Sequence, residues 1–256
     1  MTVDLKRALG AVWREPEVAR VYRYRPAYPP AVFDILRRLI VEPRTVLDAG
    51  CGTGSLTRHM SAFAARIDAV DPSAAMIDEA RRLPGGSDPR IKWIVGPAET
   101  APLEPPYGLI TTGQSLHWME HAIVMPRFRD ALAPGGRLVA TDIEWAYPPE
   151  WRDKLIAIFK RYSPVNSKEF VVDLFGDLAG RGLFERSGFQ RTSLVPADLS
   201  IDEFVNALQS TSSLSRVTLR ERTDPFGDEV RALFASLGLD RARFAVAGNV
   251  VWGRPL

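Results

Sequence analysis

Three glycines occupy alternate positions at the end of a short apolar run, and they are the first residues whose spacing indicates chemistry. Gly50, Gly52 and Gly54 directly follow residues 45–49. Each glycine costs conformational entropy on folding, so glycines are kept where a side chain must be absent. A tight turn requires one glycine. Three indicate that the backbone comes close to another molecule.

The residues alone also permit two other interpretations of this segment. A bare tight turn would need no ligand. A dinucleotide-binding loop of the form G-x-G-x-x-G has glycine or alanine at its last position, where the helix packs on the strand. Counted from Gly50, that position is Ser55. The dinucleotide pattern therefore fits less well than a loop for a different nucleotide-containing cofactor.

Elements that alternate between strand and helix must position this loop. Short apolar runs predict β-strands at residues 45–50, 66–73, 91–96, 107–114, 136–145, 188–200 and 243–255. Apolar residues at helical spacing predict helices at residues 31–40, 55–64, 73–83, 121–136, 200–209 and 224–238. Ser73 and Ser200 are predicted N-caps, and Glu203 completes a capping box with Ser200. The alternation predicts an α/β fold with parallel strands, helices on both faces and ligands outside the carboxyl ends of the strands.

The glycine segment and its surroundings resemble a known family. Asp48-Ala-Gly50-Cys-Gly52-Thr-Gly54 resembles the D/E-x-G-x-G-x-G signature of class I S-adenosylmethionine-dependent methyltransferases. The resemblance covers about residues 20–145 and points to the methyltransferase type 11-like group, which acts on small molecules. It implies a doubly wound, Rossmann-like, mostly parallel sheet of seven strands with an antiparallel last strand, together with a helical lid.

The resemblance implies that S-adenosyl-L-methionine is the cofactor and that particular residues hold it. The glycines would let the methionine end of the cofactor lie against the backbone. Asp71 would accept hydrogen bonds from the ribose hydroxyls, and Arg25 would pair with the methionine carboxylate. The alternatives are a turn-forming Asp-Pro at Asp71 and an exposed basic loop at Arg25. The expected cofactor-binding residues are Tyr22, Arg25, Asp48, Gly50, Cys51, Gly52, Gly54, Asp71, Pro72, Met76, Ala98, Glu99 and Gln114.

Two positions depart from the family's pattern, and one motif is misleading. Pro97 stands where an aspartate is usual, which leaves adenine recognition to the Ala98 N–H and Glu99. Gly108 replaces the usual aspartate at the start of the fourth strand. The segment "EPPYG" at residues 104–108 is similar to the [D/N]-P-P-[Y/F] motif of amino-group methyltransferases. Because it precedes the strand instead of following it, we interpret it as a loop.

Histidines follow the fourth strand, at the edge of the sheet where substrates bind. Imidazole is the usual general base near neutral pH, so His117 is the candidate catalytic base and His121 a weaker candidate. A structural role is the alternative for both, and His59 is predicted to be a packing or surface residue. We expect no metal. The expected reaction is an in-line displacement in which an O, N or C nucleophile of a small molecule takes the methyl group.

The composition excludes several other classes of protein. The chain has 256 residues, of which 46% are hydrophobic and 25% charged, and its formal net charge is +2. That charge disfavours a nucleic-acid partner. One cysteine excludes an intrachain disulfide, and no apolar run approaches the ~18 residues that cross a bilayer. We expect a cytoplasmic monomer or homodimer that binds a small-molecule acceptor, with no nucleic-acid or membrane partner.

The expected organisation is a single domain of residues 1–256 with two mobile lid segments. Residues 1–30 would form an N-terminal lid element, and the aromatic-rich residues 146–187, which include Phe170, a helical lid over the acceptor. Fold does not fix function. The alternative function is therefore a cofactor-binding protein on the same fold without methyl transfer, such as a cyclisation catalyst or a partner subunit.

Overall fold

The strands form a mixed sheet that is parallel at its centre, as the alternation predicted. The computed structural model describes residues 3–165 and 173–256. Its strands are β1 (Thr45–Ala49), β2 (Arg66–Asp71), β3 (Ile91–Val95), β4 (Tyr107–Gly113), β5 (Leu132–Ala146), β6 (Phe184–Arg191), β7 (Val195–Ser200) and β8 (Arg241–Pro255). The hydrogen-bonded order is β3-β2-β1-β4-β5-β8-β6, and β7 also pairs with β8. The pairs among β1 to β5 are parallel, whereas β6 and β7 run antiparallel to β8.

The chain divides into two compact units, which are described separately. The sheet unit consists of residues 28–144, 173–193 and 247–256. The helical unit consists of residues 1–27, 145–172 and 194–246. The predicted lid does not coincide with either unit, because residues 173–187 belong to the sheet unit. Residues 166–172, including Phe170, lie outside the described residues.

Apolar side chains cover both faces of the central strands. Val46, Ile67 and Leu109 belong to one buried cluster, and Leu47 and Ile110 belong to another. Neighbouring residues of a strand point to opposite faces, so the two clusters are the two sides of the sheet. Helices must pack on both sides, which leaves the carboxyl ends of the strands as the place where a ligand can reach the backbone.

Two helices begin where the predicted caps Ser73 and Ser200 place them. The helices span Val3–Ala11, Pro16–Val21, Pro30–Leu39, Thr57–Met60, Ala74–Arg82, His121–Ala131, Pro149–Tyr162, Leu174–Gly180, Ile201–Gln209, Arg216–Leu219 and Thr223–Ser236. The Ser73 hydroxyl accepts from the Met76 N–H, and Ser200 and Glu203 form the predicted capping box. The helix predicted at 55–64 is shorter, with turns on either side of Thr57–Met60. No helix in the described part of the chain is both long and apolar enough to cross a bilayer.

The prediction for the start of β5 was wrong. The helix predicted to continue through residue 136 ends at Ala131, and β5 begins at Leu132. Leu132 pairs with Tyr107 at the first position of β4, and a register shift follows before Leu109 pairs with Arg137. Hydrogen bonding to β4 therefore makes residues 132–136 part of β5, although the sequence predicted that they end a helix.

The strand predicted at 188–200 is in fact two strands. β6 pairs with residues 249–255 of β8, and β7 pairs with residues 241–246. Between them the Thr192 N–H donates to the Gly248 carbonyl, and the Gly248 N–H donates to the Thr192 hydroxyl. Because β8 is 15 residues long, its two halves can bind separate strands.

Candidate cofactor site

The glycine loop adopts a backbone conformation that only glycine takes up without strain. Gly50, Gly52 and Gly54 have φ angles of +71°, +54° and +76°. In that left-handed region a Cβ atom crowds the following carbonyl oxygen. The N–H groups of Gly50 and Cys51 both donate to the Val70 carbonyl, at 2.8 and 3.0 Å. The loop is thereby fastened to the end of β2.

The three glycines have different surroundings. A Cβ on Gly50 would lie 2.4 Å from the Ser115 Cβ, and one on Gly54 would lie 2.5 Å from the Trp93 ring. A Cβ on Gly52 would meet no atom within 4 Å. The explanation from sequence, that each glycine leaves space for a ligand, can therefore hold only at Gly52, where it stays a prediction. Gly50 and Gly54 make room for the protein's own side chains.

Two side chains that sequence reasoning missed hold the loop from either side. The Ser115 hydroxyl donates to the Ala49 carbonyl at 2.7 Å, and the Trp93 indole N–H donates to the Gly86 carbonyl at 2.9 Å. Ser115 follows β4, which pairs with β1, and Trp93 lies within β3, which pairs with β2, so the two side chains come from opposite sides of β1. Their contacts with Gly50 and Gly54 fix the path of the loop without filling the space beside Gly52.

Asp48 lies beneath the loop and anchors it. Its side chain is buried, and its two oxygens accept from the Thr57 hydroxyl at 2.5 Å and the Thr111 hydroxyl at 2.9 Å. Burial raises the pKa of the Asp48 carboxyl to about 6, although both hydroxyls oppose the rise. Asp48 thus joins β1, β4 and the first helix after the loop. Its predicted role in cofactor binding stays a prediction.

Asp71 ends β2 and lies directly against the loop. One carboxylate oxygen accepts from the Gly52 N–H at 2.8 Å, and the other accepts from the Ser73 N–H at 2.8 Å. Burial raises the pKa of the Asp71 carboxyl to about 6. Each oxygen of an ionised carboxylate can accept a second hydrogen bond, so capacity remains for two ligand hydroxyls. The structure therefore brings Asp71 and Gly52, two of the predicted cofactor-binding residues, into contact.

The residues that follow Asp71 and β3 frame the same edge of the sheet. Pro72 is exposed, and Met76 is buried in the first turn of the next helix. Ala98 is buried, and its N–H has no hydrogen-bond acceptor within residues 3–165 and 173–256. Glu99 accepts from the Glu120 N–H at 2.8 Å, where the His121–Ala131 helix begins. The Ala98 N–H can bind a ligand, whereas the Glu99 carboxylate already anchors a helix.

The segment after β4 carries the remaining predicted residues of the sheet unit. Gln114 has a φ of +54°, and its amide donates to Asp142 at 2.8 Å. His117 lies in the turn Leu116–Trp118, partly exposed, with its ring 4.8 Å from that of Trp118. His121 is buried, and its Nε2 bonds to the Leu116 carbonyl oxygen at 2.9 Å.

Other predicted residues have partners of their own. His59 is stacked on Phe33 at 4.7 Å, which confirms the prediction of a packing or surface residue. In the helical unit, the Arg25 guanidinium donates to the Tyr22 hydroxyl at 2.7 Å and lies over the Tyr22 ring at 4.7 Å. The roles of Tyr22 and Arg25 toward the cofactor stay predictions.

The "EPPYG" segment lies at the start of β4, as predicted: residues 104–106 are a loop, and Tyr107 and Gly108 are the first residues of the strand. Tyr107 has a structural role. Its buried hydroxyl donates to the Asp68 carboxylate at 2.5 Å and accepts from the Glu104 N–H at 2.8 Å. Asp68 is fully buried and also faces the Arg66 guanidinium at 3.5 Å. This network lies where β4 begins, at the opposite end of that strand from His117.

Tyr107→Phe should therefore destabilise the fold without affecting the ligand site. The buried Asp68 carboxylate would lose a donor and the Glu104 N–H its acceptor, which costs about 1–3 kcal/mol. The free energy of unfolding from denaturant titration measures the loss, and binding of S-adenosylhomocysteine to the variant should equal that of the wild type. An unchanged free energy of unfolding would contradict the proposed network.

Comparisons with known proteins agree with this fold. Residues 46–136 match a family model described as "Methyltransferase domain". An uncharacterized methyltransferase of Mycobacterium tuberculosis (strain ATCC 25618 / H37Rv) is 37% identical over 117 residues, which are 45% of this chain and 46% of that protein. A trans-aconitate 2-methyltransferase of Pseudomonas paraeruginosa (strain DSM 24068 / PA7) is 34% identical over 117 residues, 44% of this chain and 39% of that protein. A malonyl-[acyl-carrier protein] O-methyltransferase of Anoxybacillus flavithermus (strain DSM 21510 / WK1) is 34% identical over 87 residues, 33% of each chain. The matched part of the chain thus spans less than half the length of these curated relatives.

Solved structures share the fold over most of the chain. A protein of Anaeromyxobacter dehalogenans, proposed to be a type II methyltransferase, has a TM-score of 0.68 at 24% identity, covering 90% of this chain and 97% of that one. An S-adenosylmethionine-dependent methyltransferase of Thiobacillus denitrificans, in complex with S-adenosylhomocysteine, has a TM-score of 0.50 at 18% identity, covering 93% and 97%. At these identities the likeness concerns the fold alone.

The fold and the site agree with the family that the sequence resembles. A glycine loop after β1, an acidic residue at the end of β2 and a parallel sheet completed by antiparallel strands characterise a class I S-adenosylmethionine-dependent methyltransferase. Residues 46–136 match the family model for a methyltransferase domain. The resemblance seen in the sequence is thereby confirmed.

The residues fit the cofactor that this class uses. A Cβ on Gly52 would enter open space, and the Gly52 N–H donates to the Asp71 carboxylate. The Ala98 N–H, which no other described residue uses, follows the next strand of the sheet. A carboxylate with free acceptor capacity and an unused N–H donor are groups that can bind a ribose and a purine edge. S-adenosylmethionine fits this arrangement.

Proposed function

We propose that this chain transfers a methyl group from S-adenosylmethionine to a carboxylate oxygen of a small-molecule acid. The observation that carries methyl transfer is the open space beside Gly52, bordered by the Asp71 carboxylate. Two relatives support the acceptor class, because their names state trans-aconitate and malonyl-[acyl-carrier protein] as substrates. Both substrates are carboxylic acids.

In the proposed reaction the cofactor and the protein residues have separate roles. When bound, S-adenosylmethionine supplies a methyl group activated by its sulfonium. Gly52 leaves room for the cofactor, Asp71 holds the ribose through its free acceptor capacity, and the Ala98 N–H contacts the adenine. A carboxylate is already an anion near neutral pH, so no proton has to be removed before it attacks. The remaining work of the protein is to hold the acceptor oxygen in line with the methyl group and to exclude water.

The direct test is to incubate the purified chain with S-adenosylmethionine and a panel of small carboxylic acids, and to measure S-adenosylhomocysteine and methyl esters. Ester formation with at least one acid is expected, while the corresponding alcohols and amines should give none. Methylation of an alcohol or amine alone would contradict the acceptor class. Tight binding of S-adenosylhomocysteine without turnover of any acceptor would favour the alternative of a cofactor-binding protein.

His117→Ala distinguishes a carboxylate acceptor from one that needs a base. A base near the acceptor contributes about 10²–10⁴-fold, whereas a carboxylate acceptor needs none. We expect turnover of the acid substrate to fall less than about 3-fold and the pH–rate profile to keep its shape. The comparison requires equal S-adenosylhomocysteine affinity in the variant and wild type, measured by calorimetry. A loss of 100-fold or more, together with loss of the acidic limb, would instead establish His117 as the base.

A further inference from the structure

The turn that follows β3 is tied to the glycine loop through Asp71, and all of these residues belong to the sheet unit. The Gly96 N–H donates to the Asp71 carbonyl at 2.9 Å, and the Asp71 carboxylate accepts from the Gly52 N–H at 2.8 Å. Ala98 lies two residues beyond Gly96. Two residues of chain span at most about 7 Å, so a base attached to a ribose at Asp71 can reach Ala98.

The Ala98 N–H is a hydrogen-bond donor in a fixed position. The side chains of Ala98 and Ala101 are buried in the apolar cluster that also contains Leu47 and Ile110. The Pro97 carbonyl accepts from the Thr100 N–H at 3.0 Å and from the Ala101 N–H at 2.9 Å, which closes the turn. Among the residues that the structure describes, the Ala98 N–H has no acceptor. Because main-chain donors are normally paired, a ligand with an acceptor atom fits this position.

The neighbours of Ala98 are poorly suited to accept a hydrogen bond from the same ligand. Pro97 has no polar side chain, and its carbonyl already accepts two hydrogen bonds, one for each lone pair. The Glu99 carboxylate accepts from the Glu120 N–H at 2.8 Å and is thereby held at the start of the His121–Ala131 helix. Pro97 is also exposed, so the space beside it is open to solvent. The turn therefore offers one donor next to an apolar, solvent-facing residue.

An adenine base presents two different groups to such a turn. On the edge away from the ribose, the ring nitrogen N1 is an acceptor and the neighbouring 6-amino group is a donor. A single N–H donor can pair with N1 and cannot pair with the 6-amino group. An amino group that faces solvent keeps its hydrogen bonds to water, so leaving it without a protein partner costs little.

We propose that this chain recognises the base of its cofactor through N1, with the Ala98 N–H as the specificity-determining donor, and that the 6-amino group projects past Pro97 into solvent. The site then binds cofactors that lack the 6-amino group or carry a substituent on it. It discriminates against bases without an acceptor at position 1. The inference rests on the cofactor of the proposed function and is independent of the acceptor acid.

Three analogues of S-adenosylhomocysteine test this recognition without requiring methyl transfer. The first lacks the 6-amino group, the second carries a benzyl group on the 6-amino nitrogen, and the third is the 1-deaza analogue, in which a C–H group replaces N1. In calorimetry on the full chain, the first two should bind within about 3-fold of S-adenosylhomocysteine, and the 1-deaza analogue at least about 10-fold more weakly, because it leaves the Ala98 N–H unpaired. Weak binding of either of the first two, or full affinity of the third, would overturn the proposal.

Pro97→Asp should create the recognition of the 6-amino group that the wild type lacks. The new carboxylate would accept from the 6-amino group, so S-adenosylhomocysteine should bind this variant about 10-fold more tightly than the analogue without that group, the scale of a hydrogen bond to a charged acceptor. Pro97→Ala is the matched control, because it also removes the proline ring but adds no acceptor, and it should bind both molecules equally. Equal binding of both molecules by Pro97→Asp would contradict the position of the 6-amino group beside residue 97.

Glu99→Gln tests the other side of the turn. The side-chain amide keeps an oxygen for the Glu120 N–H, so the variant should bind all the analogues like the wild type. If the wild type preferred S-adenosylhomocysteine to the analogue without the amino group and Glu99→Gln lost that preference, Glu99 would be the acceptor and the proposal would be overturned. If S-adenosylhomocysteine itself did not bind, the proposed function would fail as well. If it bound and only the expected order of the analogues failed, the proposed function would stand.

Discussion

Gly52→Val is expected to abolish cofactor binding while the protein still folds. The added side chain would enter the space beside the Asp71 carboxylate, where a Cβ meets no protein atom within 4 Å. Displacing a ligand from that position should weaken S-adenosylhomocysteine binding by at least about 100-fold. The φ of +54° adds backbone strain, so the free energy of unfolding should fall by about 1–3 kcal/mol. Calorimetric titration and denaturant unfolding measure the two effects separately.

Gly182→Val is the matched control for that strain. Gly182 also has a positive φ, +66°, and a Cβ there would likewise meet nothing within 4 Å. It lies between the Leu174–Gly180 helix and β6, outside the glycine loop. The control should lose similar stability and bind S-adenosylhomocysteine like the wild type. If both variants lost binding equally, strain would explain the result; if Gly52→Val kept full affinity, the space beside Gly52 would not be the cofactor site.

The glycine loop could be predicted from sequence because its signals are local. Three glycines after an apolar run indicate backbone with special geometry, and the structure gives positive φ at all three. The sequence could not show which protein atoms a side chain at each glycine would clash with. Ser115 and Trp93 reach the loop from strands that follow it in the chain by about 40 residues or more, and only the strand order places them beside it. Knowledge of which strands pair would have placed Ser115 and Trp93 beside the loop. A single sequence does not give that pairing.

The same difference between local and long-range signals explains which boundaries of helices and strands could be predicted from the sequence. Caps at Ser73 and Ser200 depend on residues three positions away, and both are confirmed. The start of β5 depends on Leu132 pairing with Tyr107, and the division of residues 188–200 depends on the length of β8. Hydrogen-bond ladders between distant segments override local preference. They decided the start of β5 and the division of residues 188–200.

The hydrogen-bond partners of the charged residues in the site could likewise not be predicted from the sequence. Sequence reasoning placed Asp48 and Glu99 among the cofactor-binding residues because of their positions in motifs. In the structure Asp48 bonds to Thr57 and Thr111, and Glu99 bonds to the Glu120 N–H. Both carboxylates hold elements that carry the site. A motif locates a residue at the right edge of the sheet, but its side chain's partners follow from tertiary structure.

Cofactor affinity should depend on pH through Asp71. Burial raises the pKa of the Asp71 carboxyl to about 6, so below that pH the free protein carries a protonated acid. Only the ionised form offers both oxygens as acceptors to the ribose hydroxyls. Affinity for S-adenosylhomocysteine should therefore rise between pH 5 and pH 7 and level off above. Asp71→Ala should weaken binding at pH 7.5 by about 1.5–3 kcal/mol and remove this dependence.

The free energy of unfolding should respond to the same pKa with the opposite sign. The pKa values of Asp48 and Asp71 are both about 6 in the folded protein, above the value of about 4 in an unfolded chain. The folded state then binds more protons than the unfolded state between these values. Stability is greatest below pH 4 as far as these two groups are concerned, and it is lost as the pH rises through about 6. A bound cofactor should offset part of that loss, since it favours the ionised Asp71.

Asp48→Asn is the control that assigns the pH dependence of binding to one carboxyl. Asp48 has a similarly raised pKa and is equally buried, but its oxygens face the Thr57 and Thr111 hydroxyls instead of the open space. In this variant the side-chain amide oxygen can still accept from one of the two threonines, and the amide nitrogen can donate to the other. The variant should keep the rise in S-adenosylhomocysteine affinity between pH 5 and pH 7, whereas Asp71→Ala should show a flat profile. A flat profile in Asp48→Asn with a normal rise in Asp71→Ala would place the titrating group beneath the loop and remove Asp71 from the ribose site.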